Sequence, residues 1–440
     1  MDVKTALEFA EASFIAETGK SPTDLQKEIF AQALEGKTYE RIAEDCNCTD
    51  SYVKEVGSEL WRILSSRLGR RVTKKSFKNV LMASSLPLPT SPQQQMPASA
   101  TMARCQQDWG EAPDVFVFYG RREELTELER WIVADRCRLV ALLGMGGIGK
   151  TALSVKLAQQ IQQDFDRIVW RSLDSCPPLN AFLAEIINSI DRQQPAQLLE
   201  TPADAISRAI ECFNTHRCLL IIDGIDAIME TGKLAGKYRE EYQDYGKFFQ
   251  KVAQGNHQSC VLFTSSEKPQ EISLLPTRNR QVRAYKIGGL DGDAARQILL
   301  DRDLVVEKKE WNDFIDRYEG NPLALWIISA TVANLFAGKT SDFLKTGTVF
   351  LGQVEGVLDE MFDRLTDVEI KVMCRLAAIN KPIAFSRLRD EISADISSSV
   401  LMNVLESLSW RSSIETEVGK DLFRLQPVIR KYVVNRFGQK

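Results

Sequence analysis

A chain of 440 residues, 44% apolar and 26% charged, is long enough for two to four packed domains at roughly 100 to 200 residues each. A net charge of −4 leaves the whole protein no electrostatic reason to sit on nucleic acid or anionic lipid, so any basic patch must be local. Nine cysteines, of which only Cys46 and Cys48 lie close, suggest neither a disulfide scaffold nor a zinc knuckle and fit a reducing cytosol; with His216 and His257 the only histidines, Ser/His and Cys/His triads are disfavoured.

At the N-terminus, Asp2, Glu8 and Glu11 interrupt the place where a signal peptide would carry a basic end and an apolar run, so none is expected. The expected location is cytoplasmic. Ser21-Pro22 predicts a helix start, with Leu25, Ile29 and Ala33 on one face and Gly36 as its end. Residues 38–46 and 49–60 then read as two helices joined by a tight turn, with Ile42, Ala43, Val53 and Val56 packing across the crossing. Residues 1–84 thus form a small all-α module that looks like a helix-turn-helix. A DNA reader would present Ser51, Tyr52, Lys54 and Glu55 to base edges, against which Asp50, Glu55 and Glu59 argue. Arg62, Arg67, Arg70, Arg71, Lys74, Lys75 and Lys78 could hold phosphates, or could form a solvated face or protein docking surface. Residues 85–113 read as a flexible linker, because Pro, Ser and Gln dominate 85–99 and cannot bury enough apolar surface to offset ordering.

Beyond the linker, apolar runs at 138–143, 167–172, 218–222, 260–264 and 283–287 alternate with helical patterns. That predicts an α/β domain, a parallel sheet with helices on both faces. From Asp291 onward the period is helical. The uncharged stretch 321–338 approaches membrane-spanning length, but Asn321, Pro322, Ser329, Thr331 and Asn334 dilute it, so a buried helix and no membrane contact are expected. Thr366-Asp367-Val368-Glu369 is a capping box opening a helix through Ile370, Met373, Leu376 and Ala377. A helix at 400–408 follows, then a hairpin at 413–425 turned by Gly419-Lys420. No repeat of 20 to 50 residues is visible.

Gly144-Met145-Gly146-Gly147-Ile148-Gly149-Lys150-Thr151 follows the run 139–143 and opens the helical stretch from Ala152, the context required by G-x-x-x-x-G-K-[ST]. Glycines let consecutive backbone N–H groups point at phosphates, Lys150 neutralises the β and γ oxygens, and Thr151 ligates Mg²⁺. Residues 219–223 end an apolar run with Asp223, either the partner carboxylate of that metal or a turn acid closing a strand.

These residues resemble the NB-ARC group of STAND-type NTPases over residues 115–437. The markers occur in the family's order: Phe118-Tyr119-Gly120-Arg121 with Glu124, the phosphate loop, Ile222-Asp223-Gly224-Ile225-Asp226, Leu262-Phe263-Thr264-Ser265, and Gly320-Asn321-Pro322-Leu323. The resemblance implies a nucleotide-binding domain over 114–275, a helical lobe over 276–345 and a winged-helix lobe over 346–440. It further implies ATP or ADP bound with Mg²⁺ along Gly144, Gly146, Gly147, Ile148, Gly149, Lys150, Thr151 and Ala152. Gly120 and Arg121 would lie near the adenine and ribose, and Pro322 on the base, although a proline also suits a first helical turn.

Three positions depart from the pattern. Ser266 stands where the family often has an arginine for the terminal phosphate, Ala227 where many relatives have a water-orienting glutamate, and Gln426 within the stretch corresponding to a Met-His-Asp clamp. Slow or negligible turnover is therefore expected, with Asp226 the only near substitute for a water-orienting group. The implied function is an ATP/ADP switch in signal transduction that releases or oligomerises the N-terminal module, whose partner is an unidentified protein. The alternatives are a nucleotide-regulated DNA-binding regulator and a scaffold holding ADP permanently. Relatives often carry WD-type or tetratricopeptide repeats after the winged helix; none is visible here, so input is expected through the N-terminal module, the linker or another protein.

Overall fold

The computed structural model describes residues 14, 24–34, 37–45, 53, 56–57, 60–61, 63, 74, 105–191, 201–275, 279–302, 304, 310–347, 349–392, 396–416 and 421–438. The chain divides into two compact units, Met1–Thr101 and Met102–Lys440.

In the first unit, α1 (Asp24–Leu34) and α2 (Tyr39–Asp45) bury Ile29, Phe30, Ala33, Ile42 and Ala43 in one cluster with Val53, Leu60 and Trp61. Val56 is partly buried against it. Phe30 stands edge-on to both Phe14 and Trp61, an arrangement aromatic quadrupoles favour. Trp61 Nε1 donates to the Tyr39 hydroxyl at 2.7 Å, which satisfies the indole inside the cluster. Ser51, Tyr52, Lys54 and Glu55, the expected start and end residues Ser21, Pro22 and Gly36, and all of the basic stretch except Lys74 lie outside the described residues.

The second unit is built on a six-stranded sheet of order β1-β3-β4-β5-β2-β6, parallel at every pairing. Its strands are β1 (Gln106–Asp108), β2 (Leu139–Leu143), β3 (Arg167–Ser172), β4 (Cys218–Asp223), β5 (Cys260–Ser265) and β6 (Val282–Lys286). All five expected strands are present, each within a residue or so of its reading. Alternate side chains bury to opposite faces: Leu139, Ala141, Leu220, Ile222 and Phe263 to one cluster, Val140, Leu142, Leu219, Ile221 and Leu262 to the other. Helices α3 (Arg122–Glu129) and α4 (Lys150–Gln160) cover the second face; α5 (Leu179–Ile190), α6 (Pro202–Thr215), α7 (Gln243–Gln254) and α8 (Gln270–Leu274) cover the first.

One reading needs correction. Residues 85–113 are not wholly linker, because Gln106–Asp108 pair with Arg167–Val169 as the edge strand and Trp109 packs on the sheet's core. Arg171 fixes this edge through ion pairs to Asp108 at 2.7 Å and Glu185 at 2.5 Å. A three-residue polar edge strand has no apolar alternation to announce it.

The remaining elements share one core. They are α9 (Gly292–Leu300), α10 (Trp311–Arg317), α11 (Pro322–Leu335), α12 (Thr340–Lys345), α13 (Val354–Phe362), α14 (Asp367–Ile379), β7 (Ile383–Ala384), α15 (Phe385–Ile392), α16 (Ser398–Trp410), β8 (Glu415–Thr416), β9 (Leu422–Arg424) and α17 (Pro427–Phe437). Strands β7, β9 and β8 form a small antiparallel sheet. Both halves of the capping box on α14 form: Thr366 Oγ1 accepts from the Glu369 amide and Glu369 accepts from the Thr366 amide. Helix α15 was not anticipated, and the expected turn at Gly419-Lys420 lies outside the described residues. No helix among the described residues is long and apolar enough to cross a membrane.

Candidate functional site

The register of β2, β4 and β5 brings Leu143, Ile222 and Ser265 to one edge of the sheet, so the segments leaving their carboxyl ends converge there. In parallel α/β sheets this edge is where ligands bind. Between β2 and α4 the chain turns through Gly147 and Gly149, with φ of 73° and 96°, angles at which a side chain is strained. Gly149 is the N-cap of α4 without a side-chain cap, so the first amides of that helix have no partner within it. Their aligned dipoles make an electropositive cradle.

Lys150 begins α4, and its Nζ donates to the carbonyls of Gly144 at 2.9 Å and Met145 at 3.1 Å, which folds it over the loop. Desolvation lowers its pKa from the ordinary lysine value, while the negative charges of Asp226 and Asp223 oppose that. Thr151 Oγ1 donates to Asp223, 2.9 Å from each carboxylate oxygen, and Thr264 Oγ1 donates to the same carboxylate at 2.7 Å. Desolvation raises the Asp223 pKa; the Thr264 and Thr151 hydrogen bonds and Lys150 act against it. Asp226 is desolvated too, yet Lys150, the Ser266 amide at 2.9 Å and Arg364 outweigh this and hold its carboxyl below the ordinary range. A hydroxyl and a carboxylate already in contact at the mouth of an amide cradle suit a hydrated Mg²⁺.

The loop is roofed by the helical elements. Asn321 caps α11 by accepting from the Ala324 amide, and its Nδ2 donates to the Gly146 carbonyl at 3.1 Å. The Leu323 amide donates to the Gly147 carbonyl at 3.3 Å. A Cβ on Gly147 would stand 2.7 Å from Leu323, and one on Gly146 would stand 2.7 Å from Val357 of α13.

Two cavities flank the loop. The larger, about 840 Å³, is lined among others by Met145, Ile148, Gly288, Gly289, Asn321, Glu319, Glu415 and Gln426. The smaller, about 370 Å³, is lined among others by Gly146, Lys150, Asp226, Ser266, Glu267, Arg364 and Arg411.

Arg121 frames the larger cavity rather than lining it. Its guanidinium is buried and donates to Glu124 and to the carbonyls of Ile148, Gly288 and Gly289. Gly120 has a φ of 61°, and a Cβ there would stand 2.6 Å from that of Ala294 on α9. Pro322 is the first residue of α11 and lines neither cavity; its neighbours Asn321 and Leu323 make the contacts to the loop. Gln426 donates to Glu415 at 3.2 Å. The Ala227 carbonyl accepts from Arg239 at 2.9 Å.

Sequence reasoning missed Asn321, Arg364, Arg411 and Glu267. Asn before Pro is an N-cap signal that could have singled out Asn321. The other three meet only across 97 to 144 residues of chain.

A family model described as the NB-ARC domain matches residues 121–236. The chain carries an NB-ARC domain. Residues 1–84 match the model described as vWA-MoxR associated protein N-terminal HTH, so a helix-turn-helix domain precedes the NB-ARC domain. An uncharacterised WD repeat-containing protein of Nostoc sp. is 39% identical over 340 residues, which are 74% of this NB-ARC chain; the chain spans 27% of that relative's length. Among solved structures, a signal transduction ATPase with numerous domains and a tetratricopeptide repeat sensor from Pyrococcus horikoshii is similar at 19% identity. It covers 76% of this chain and 44% of the other, with a TM-score of 0.41. A Walker-type ATPase of Pyrococcus abyssi is similar at 14% identity over 72% of this chain and 96% of the other, with a TM-score of 0.49.

Proposed function

We propose that the protein is an adenine-nucleotide switch in signal transduction, in which ATP or ADP with Mg²⁺ sets the packing of the helical and C-terminal lobes on the sheet domain. The observation that carries this is the amide cradle at the start of α4 with Lys150 folded over it and Thr151 against Asp223.

In this reading the amides from Gly144, Gly146 and Gly147 through Ile148, Gly149, Lys150, Thr151 and Ala152 hold the phosphates. Lys150 would leave its two carbonyl partners for phosphate oxygens. Thr151 and Asp223 would hold Mg²⁺, which when bound would supply neutralising charge to the phosphates. Gly120, Arg121 and Pro322 shape the base-binding side through the segments they brace. Asp226 positions water, and turnover is slow, since its carboxyl is already engaged by the Ser266 amide.

The three-stranded sheet with α14, α15 and α16 is read as a winged helix that reports nucleotide state. The domain divisions at 84, 275 and 345 follow the same reading. The output is release or oligomerisation of the helix-turn-helix domain toward a protein partner, in the cytoplasm. Such coupling requires differential affinity of ATP and ADP for two arrangements of the lobes.

The test is to denature purified protein, identify the released nucleotide, and repeat with Lys150→Ala. Adenine nucleotide is expected from the parent and little from the variant. Absence of nucleotide from the parent, together with no calorimetric heat from ATP or ADP in Mg²⁺, would refute the reading.

A further inference from the structure

The cavity of about 370 Å³ meets the phosphate loop at Met145, Gly146 and Lys150, and its lining includes two guanidinium groups, Arg364 and Arg411. They differ in how far they are already engaged. Arg411, 3% exposed, donates to Glu267 at 3.1 Å, Glu369 at 3.0 Å, and the carbonyls of Arg364 at 2.9 Å and Lys233 at 2.7 Å. It is a structural bolt between two fully buried carboxylates.

Arg364 is less fully engaged. Its Nη1 donates to the Asp226 carbonyl at 2.9 Å and its Nη2 to Glu267 at 3.1 Å, an oxygen that Arg411 also uses. Its Nε is buried without a hydrogen-bond partner among the described residues. Arg364 and Arg411 share one Glu267 oxygen, and Arg364 faces the cavity that Lys150 also lines, together with the carboxylates of Asp226, Glu360 and Asp363. A buried donor without an acceptor costs free energy until an acceptor arrives. The acceptor that fits is a tetrahedral oxyanion beyond the two phosphates that the amide cradle can hold.

We infer that Arg364 binds the third phosphate of a nucleoside triphosphate and so distinguishes ATP from ADP. This inference rests on the nucleotide reading above and deepens it. Arg364 follows α13 and lies two residues before Thr366, the cap of α14, so recognition of the third phosphate acts directly on the C-terminal lobe. Its partners Asp226 and Glu267 follow β4 and β5. The contact therefore spans the sheet domain and the lobe, where a difference of one phosphate can alter their packing.

The experiment measures binding of ADP and of a non-hydrolysable ATP analogue to the full chain in Mg²⁺ by calorimetry, for the parent, Arg364→Gln and Arg364→Lys. The Gln variant should keep the parent's ADP affinity, which also reports an intact fold, and should lose about 10- to 100-fold in affinity for the triphosphate analogue. The Lys variant should recover part of that loss by keeping the charge. Equal weakening of both nucleotides in both variants, or no change while the parent binds both, would overturn the role of Arg364 and leave the nucleotide reading standing. A parent that binds neither nucleotide would overturn both.

Discussion

Replacing Arg411 by Met should destabilise the second unit more than removing most single surface charges, and the structure sets the scale. The side chains of Arg411, Glu267 and Glu369 are 3%, 1% and 0% exposed. Met fills much of the volume of the arginine stem but supplies none of its four hydrogen bonds. Glu267 would still accept from Arg364 and from the Gly236 amide at 2.7 Å. Glu369 would keep Ser407 at 2.6 Å and Thr366 but lose its only ion pair among the described residues. Breaking a buried pair by removing one partner costs about 3–5 kcal/mol, because a charge is left in a poorly solvating interior. Urea unfolding of the full chain, followed by tryptophan fluorescence, measures the loss. The double variant Glu369→Gln, Arg411→Met should lose less than the sum of the two single variants, since no unpaired charge then remains at Glu369. A loss below about 1 kcal/mol for Arg411→Met, or strict additivity in the double variant, would refute the reasoning.

Two further outcomes follow from the site. Gly147→Ala puts a Cβ 2.7 Å from Leu323 at a left-handed φ, whereas Gly149→Ala meets open space at a left-handed φ. Both should lose about 1–2 kcal/mol from the backbone and Gly147→Ala should lose more, measured by thermal melting; Leu323→Ala should relieve only the part of the excess due to its Cδ2, because its Cβ also stands 2.7 Å away. The Glu319 carboxyl is pushed up to about 8 by desolvation and then by Glu415, with Arg424 acting the other way and Asp316 adding to the rise. Because the native state keeps this proton while the unfolded chain releases it, stability should fall as pH rises from 4.5 to about 8. Glu319→Gln should flatten that slope; an unchanged slope would sink the assignment.

The sheet and the phosphate loop were readable because their signals are local. Leu139–Leu143 is a continuous apolar run buried on both faces, and the glycines and Lys150-Thr151 follow it directly. The capping box at Thr366 was legible for the same reason, since its two bonds span three residues. The edge strand Gln106–Asp108 was not, because polar residues at a sheet margin resemble the linker that precedes them. Nor were the roof and the Arg364, Arg411 and Glu267 cluster, whose partners meet only after the lobes have packed. Gly120, Arg121 and Pro322 show an intermediate case: their motifs lie beside the loop and the larger cavity, and the atoms that touch the loop or frame the cavity are those of Asn321, Leu323 and the Arg121 guanidinium.

The covering of the phosphate loop by Asn321, Leu323 and Val357 comes from the same polypeptide as the loop itself. Cover and cradle are therefore held at a fixed effective concentration, which dilution of the protein does not change. Within one copy of the chain, release from the cradle is governed by events inside that molecule, so a residence time that changes with protein concentration would report association between copies.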